Sequence, residues 1–131
     1  MENFKTWNAK ITNVSLSMRD HGCLTFNITL DGDGIGCVFG GYVLGHGYVG
    51  AKEFKGSAAG MECLMHIMDT LEVDRWEDLK GQYVRVRDGS WGSSVTCIGH
   101  IIKDKWFDIE EFFEEEKKKQ PKKTLPKMEA I

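Results

Sequence analysis

The stretch from Lys55 to Gly81, KGSAAGMECLMHIMDTLEVDRWEDLKG, decides the fold. Within it Met61, Leu64, Met65, Met68 and Leu71 recur at the spacing of one helical stripe, while Glu62, His66 and Asp69 lie off that stripe. The spacing predicts an amphipathic helix that lays the stripe on a sheet. Ser57 is placed to cap its start, because a serine hydroxyl accepts from the N–H groups that a first helical turn leaves unpaired. Asp74 stands in the same relation to a short turn of helix from Arg75 to Lys80, which Gly81 then ends in a left-handed conformation.

Upstream, Trp7, Ala9 and Ile11 alternate with polar residues before the apolar parity shifts to Val14, Leu16 and Met18, which predicts a first strand with a bulge near Thr12 and Asn13. After a turn at Asp20-His21-Gly22, Leu24, Phe26, Ile28 and Leu30 point one way and Thr25, Asn27 and Thr29 the other, the pattern of a half-buried antiparallel strand. Asp31-Gly32-Asp33-Gly34 supplies hairpin chemistry, and a third strand, Cys37 to Leu44, is interrupted by Gly40-Gly41. A glycine- and tyrosine-rich loop, Gly45 to Gly56, leads into the helix. Downstream, Val84 and Val86 alternate with Tyr83, Arg85 and Arg87, a turn follows at Asp88 to Gly92, and Val95 to Ile102 completes a second hairpin. Asp108 can cap a last helix from Ile109, anchored by Phe112 and Phe113.

The order β-β-β-α-α-β-β-α lacks βαβ alternation. It predicts an α+β fold: a curved, mainly antiparallel sheet of about five strands with a central amphipathic helix packed on one face. A chain of 131 residues is one domain, expected over 1–113, and long enough to hold a core without disulfides or metal. Residues 114–131 carry charge and two prolines and are expected to form a disordered tail.

The net charge of −3, with acid from Glu110 to Glu116 and lysine from Lys117 onward, argues against a dedicated nucleic-acid binder. Cys23, Cys37, Cys63 and Cys97 form no Cys-x-x-Cys pair and suit buried free thiols in a reducing compartment. No run has the length of a membrane span or a secretory core, so a cytoplasmic protein with no membrane partner is expected.

Two surfaces carry candidate binding chemistry. Gly56, Ser57 and Gly60 open a helix whose N–H groups can face an anion, although no Walker lysine follows and the small residues equally suit close packing on the third strand. Tyr83, Arg85 and Arg87 share one strand face, and His100 and Trp106 adjoin it; arginine beside aromatics can fork to phosphate and stack on a base. Asp31 and Asp33 suggest a calcium loop, but its twelfth position is Tyr42, so a hairpin turn is the better reading. Cys63 and His66 are spaced for one helix face, but a cysteine beside an apolar stripe reads as core. No metal, cofactor or catalytic set is expected.

Gly22 with Leu24 and Phe26, then Phe39-Gly40-Gly41-Tyr42, Gly60-Met61-Glu62, Trp76-Glu77-Asp78-Leu79-Lys80-Gly81, Val84-Arg85-Val86, Ile98-Gly99-His100 and Trp106-Phe107 together resemble a family of small uncharacterised phage- and prophage-encoded proteins, over about Trp7 to Asp108. The resemblance brings no activity or site residue; it implies a phage setting, in which small proteins of this size act against host defences. Two expectations follow. One is a non-enzymatic binding protein, expected as a homo-oligomer, that captures a phosphate-bearing small molecule such as a signalling nucleotide through Gly56, Ser57, Gly60, Tyr83, Arg85, Arg87, His100 and Trp106. The alternative is an inhibitor of a host defence nuclease, in which Glu110, Glu111, Glu114 and Glu115 of the acidic last helix imitate nucleic acid.

Overall fold

The computed structural model describes residues 6–32, 34–47, 50–87 and 94–119. The chain is α+β, with a mostly antiparallel sheet and two α-helices. Strands β1 (Thr6–Asp20), β2 (Cys23–Gly32) and β3 (Ile35–His46) form a meander, and the two-residue β4 (Lys55–Gly56) pairs with the end of β3. Helix α1 (Ala58–Leu71) and a 3-10 turn (Trp76–Leu79) precede β5 (Tyr83–Arg87), β6 (Ser94–Val95), β7 (Cys97–His100), β8 (Trp106–Asp108) and α2 (Ile109–Lys119).

The hydrogen-bonded path runs β4-β3-β2-β1-β5-β7-β8, so it holds seven strands and not about five; β6 lies off it and pairs with β3. The additional strands are only two or three residues long, too short to carry a period-two pattern, and backbone pairing alone defines them. β6 has a larger consequence. It runs parallel to β3, Val38 opposite Ser94 and Phe39 opposite Val95, and after Thr96 the chain enters β7, which is antiparallel to β5. With β6 and β7 taken as one bent strand, the sheet closes on itself through β1, β2, β3 and β5. This is the connectivity of an OB-type Greek-key barrel, with α1 between the third and fourth wall strands.

The closure depends on β1 pairing on both sides. Thr6 to Lys10 pair with β5, Lys10 onward pairs with β2, and the expected bulge falls between Ile11 and Asn13. Gly40 supplies the other bend. Its φ of +123° is open to glycine, and a Cβ there would come within 2.7 Å of the Phe26 carbonyl oxygen. Ile11, Phe26, Ile28, Leu30, Phe39, Val84, Val86 and Ile98 fill the interior, and each such side chain contributes roughly 1.5–3 kcal/mol by leaving water. Trp76 of the 3-10 turn meets Phe26 edge-on, 6.0 Å between ring centres.

Three details differ from the sequence reading. The face that α1 buries is Gly60, Cys63, Ile67, Thr70 and Leu71, so Met61 and Met65 of the expected stripe are each 63% exposed. Two apolar stripes share this helix, and cysteine, threonine and glycine make the buried one look the less apolar. Arg75, not Asp74, stands at the start of the 3-10 turn, which has no side-chain cap, while α1 ends on Glu72 in the left-handed region at φ 60°. Finally, α2 continues past position 113 to Lys119, where Lys119 Nζ meets Glu116 at 3.3 Å. Expectations for the Asp88–Gly92 turn and for the tail beyond Lys119 lie outside the described residues.

Candidate functional site

Register brings the first candidate group together. Arg85 lies opposite Gly99 and Gly99 opposite Trp106, and with no side chain at Gly99 the Trp106 ring settles across that strand, where a Cβ would collide with it. The guanidinium carbons of Arg85 and Arg87 stand 4.6 and 4.1 Å from a Trp106 ring centre, cation–π distances. Arg85 then spends its donors inward: Nε on the His100 carbonyl at 2.8 Å and Nη2 on the Lys103 carbonyl at 2.7 Å. His100 Nδ1 accepts from the backbone N–H groups of Ile102 and Lys103, each at 3.0 Å, which leaves the ring proton on Nε2, facing Glu72 at 3.7 Å. Tyr83 is exposed, with the Lys10 ammonium 5.6 Å from its ring centre. Arg85, His100 and Trp106 therefore clasp the β7–β8 connection.

Glu72 extends the clasp to α1. Its carboxylate accepts from Lys103 Nζ at 2.9 and 3.0 Å and from Lys105 Nζ at 3.1 Å, and Lys105 also caps the helix through the Asp69 carbonyl at 2.8 Å. The two lysine hydrogen bonds hold the Glu72 carboxyl down to about 2.

The second candidate group sits at the start of α1. Ser57 caps the helix as expected, its Oγ accepting from the Gly60 N–H at 2.9 Å. Gly60 is small because β3 lies against it: a Cβ there would be 2.9 Å from Leu44 Cα. Gly56 pairs with Gly45 in the β3–β4 ladder. Ser57 opens on a cleft of about 460 Å³ shared with Tyr42, Phe113, Glu110 and Glu114. Tyr42 and Phe113 stack there at 4.8 Å, and burial, then the charges of Glu110 and Asp108, push the Tyr42 phenol up.

The third group is the acidic helix. Asp108 caps α2 by accepting from the Glu111 N–H at 2.9 Å, and the four candidate glutamates divide by helical spacing. Glu110 and Glu114 border the Tyr42 cleft, whereas Glu111 and Glu115 line a groove of about 400 Å³ between α1, β8 and α2. In that groove His66 stacks on Phe107 at 5.5 Å and meets Phe112 edge-on at 5.2 Å, with Glu62, Asp108 and Glu116 around them. The chemistry of this lining suits a cationic side chain: carboxylates supply charge and aromatic edges supply apolar contact for the stem of a lysine or arginine.

The candidate residues thus fall in separate places, with Ser57 in one cleft and Trp106 at the rim of another. In the sequence His66 reads only as a base beside Cys63 and Phe112 only as an anchor, so their place in the groove between α1 and α2 is new. The i, i+4 pairs Glu62–His66 and Glu111–Glu115 were visible in the sequence, but only folding brings β8 between them. Cys63 is buried and its thiol is pushed up to about 12 by that burial, while His66 is exposed, so the two do not form a nucleophile and base. Among the described residues no group of three His, Cys, Asp or Glu side chains is placed to hold a metal ion, and no helix is long and apolar enough to cross a membrane.

No protein-family model, curated protein or solved structure matches the chain.

Proposed function

We propose that this chain is a non-enzymatic binding protein that inhibits a partner protein by occupying a basic, nucleic-acid-binding surface, in the anti-defence setting that the phage resemblance implies. The observation that carries this reading is the groove between α1 and α2, where Glu62, Glu111 and Glu115, with the capping Asp108 and a Glu116 paired to Lys119, surround an aromatic floor. Carboxylates ordered along a capped helix offer a fixed array of negative charge, which steers a basic surface and sets its register.

Capture of a phosphate-bearing small molecule has less support. The Gly60 N–H already bonds Ser57, the cleft at that helix start sets Glu110, Glu114 and Glu116 against one lysine, Lys117, and Arg85 donates to two carbonyls. Negative side chains beside an anion site oppose binding by the same Coulomb term that would otherwise favour it. The barrel connectivity suggests oligonucleotide binding by analogy alone. On the outer side of β1 and β2 the register sets Asn13 beside Thr29 and Ser15 beside Asn27, uncharged pairs, and Lys10 beside Asp31, whose carboxylate offsets the lysine's pull on a phosphate backbone.

The test is capture from a defence-proficient host lysate on the immobilised protein, with the Glu111→Lys/Glu115→Lys variant as control. A nucleic-acid-binding protein retained by the parent, lost by the variant, displaced by duplex DNA and released as salt approaches about 1 M is expected, because screening then shortens to about 3 Å. Equal retention by parent and variant would refute the reading.

A further inference from the structure

Among the described residues, helix α1 displays the methionines of one apolar stripe to solvent, while Leu64 at the stripe's edge packs partly against the core. Met61 and Met65 are each 63% exposed, and Leu64 and Met68 beside them are only half-buried, although the helix buries a different face against the barrel. Two exposed methionines one turn apart are costly to display, since burying each side chain is worth about 1.5–3 kcal/mol. Methionine is also the side chain best able to adapt to an incoming surface.

The charges bordering the stripe select its occupant. Glu62 and Asp69 are exposed along the edge of the stripe that also carries His66, and Glu62 reaches the α2 groove as well. A second copy of α1 packed on this stripe by twofold symmetry would set carboxylates against carboxylates, and an anionic bilayer would be repelled in the same way. A helix with apolar residues at i, i+3, i+4 and i+7 and lysine or arginine at its flanks satisfies both features: its apolar face covers the methionines and its cations meet Glu62 and Asp69.

We infer that the Met61–Leu64–Met65–Met68 stripe is the docking site for a basic amphipathic helix of the partner protein. The inference rests on the proposed inhibitor reading and identifies the partner element that it engages, next to the acidic groove.

The probe is a synthetic 18-residue leucine–lysine peptide with its leucines at helical spacing, compared with a scrambled peptide of the same composition and with a leucine–glutamate counterpart. Binding is followed by fluorescence anisotropy on the full chain. The patterned basic peptide is expected to bind, and Met61→Gln with Met65→Gln to weaken it about tenfold or more while leaving the melting temperature unchanged. Glu62→Gln with Asp69→Asn is expected to weaken it and flatten its salt dependence. Equal binding of the scrambled peptide, or indifference to the methionine changes, would show that charge alone recruits it and would overturn the docking site. Preference for the acidic peptide, or dimerisation of the chain that the methionine changes abolish, would assign the stripe to another occupant and overturn it as well. The inhibitor reading is tested separately by Glu111→Lys/Glu115→Lys, whose residues lie on α2: capture that this variant retains, with peptide docking on α1 intact, sinks the inhibitor reading alone, whereas capture lost in the variant with no peptide docking sinks the docking site alone.

Discussion

Replacing Arg85 with alanine should destabilise the fold, although an arginine on an outer strand face looks dispensable. Its Nε donates at 2.8 Å to the part-buried His100 carbonyl and its Nη2 at 2.7 Å to the exposed Lys103 carbonyl, and its guanidinium lies 4.6 Å from a Trp106 ring centre. A hydrogen bond from a charged donor is worth about 1.5–3 kcal/mol, the exposed one falling at or below the lower limit, and an exposed cation–π contact adds about 0.5–1 kcal/mol. The part-buried bond dominates, so Arg85→Ala should cost about 3 kcal/mol and lower the melting midpoint by roughly 10 °C for a domain of this size. Arg85→Lys keeps the charge and loses the planar fork, so about half of that loss is expected. Thermal unfolding followed by circular dichroism measures both variants against the parent. A midpoint for Arg85→Ala within about 2 °C of the parent would refute the clasp, since the usual scaling makes that under about 1 kcal/mol.

Gly60→Ala should lose about 1–2 kcal/mol in the same unfolding assay, because the close approach of Leu44 Cα outweighs the gain of about 1 kcal/mol in helix propensity; a stabilised variant would show that β3 yields. Glu72 sets part of the acid limb of stability. Its folded pKa lies below its ordinary 4.5, so its contribution is present above 4.5 and is lost as pH falls towards about 2; Glu72→Gln should remove that part of the pH dependence, and an unchanged acid limb would contradict the lysine clasp. A thiol reagent applied to native protein should label Cys23 alone, because Cys37, Cys63 and Cys97 are buried and burial pushes the latter two thiols up to about 12 and about 11; peptide mapping that finds Cys63 labelled before unfolding would contradict the packing of α1.

The strands were legible wherever they were long enough to alternate. Leu24 to Leu30 gave β2, and the parity shift after Ile11 located the β1 bulge, because burying one face of a sheet imposes period two. Barrel closure was not legible. It depends on β6, whose two paired residues carry no pattern, and on the parallel partner that β3 offers them. The buried face of α1 was hidden for a different reason: the methionines make the exposed stripe the more apolar one, while Gly60, Cys63 and Thr70 owe their burial to close contact with the barrel. Caps read well from sequence at Ser57 and Asp108, since their chemistry is local. The fate of Arg85 did not, because its acceptors are carbonyls brought near by a β7–β8 connection that no residue pattern announces.

The most direct test of the inhibitor account is the plating efficiency of a defence-sensitive phage on a defence-proficient host expressing the chain, compared across two sets of variants whose folding is verified by melting. One set reverses the acidic helix, Glu111→Lys with Glu115→Lys; the other removes the phosphate-site candidates Ser57 and Arg87 as Ser57→Ala and Arg87→Gln. Protection by the parent, lost in the first set and retained in the second, is the expected result. Protection that survives reversal of the glutamates and disappears with Ser57→Ala or Arg87→Gln would contradict the account and return the function to capture of a phosphate-bearing ligand.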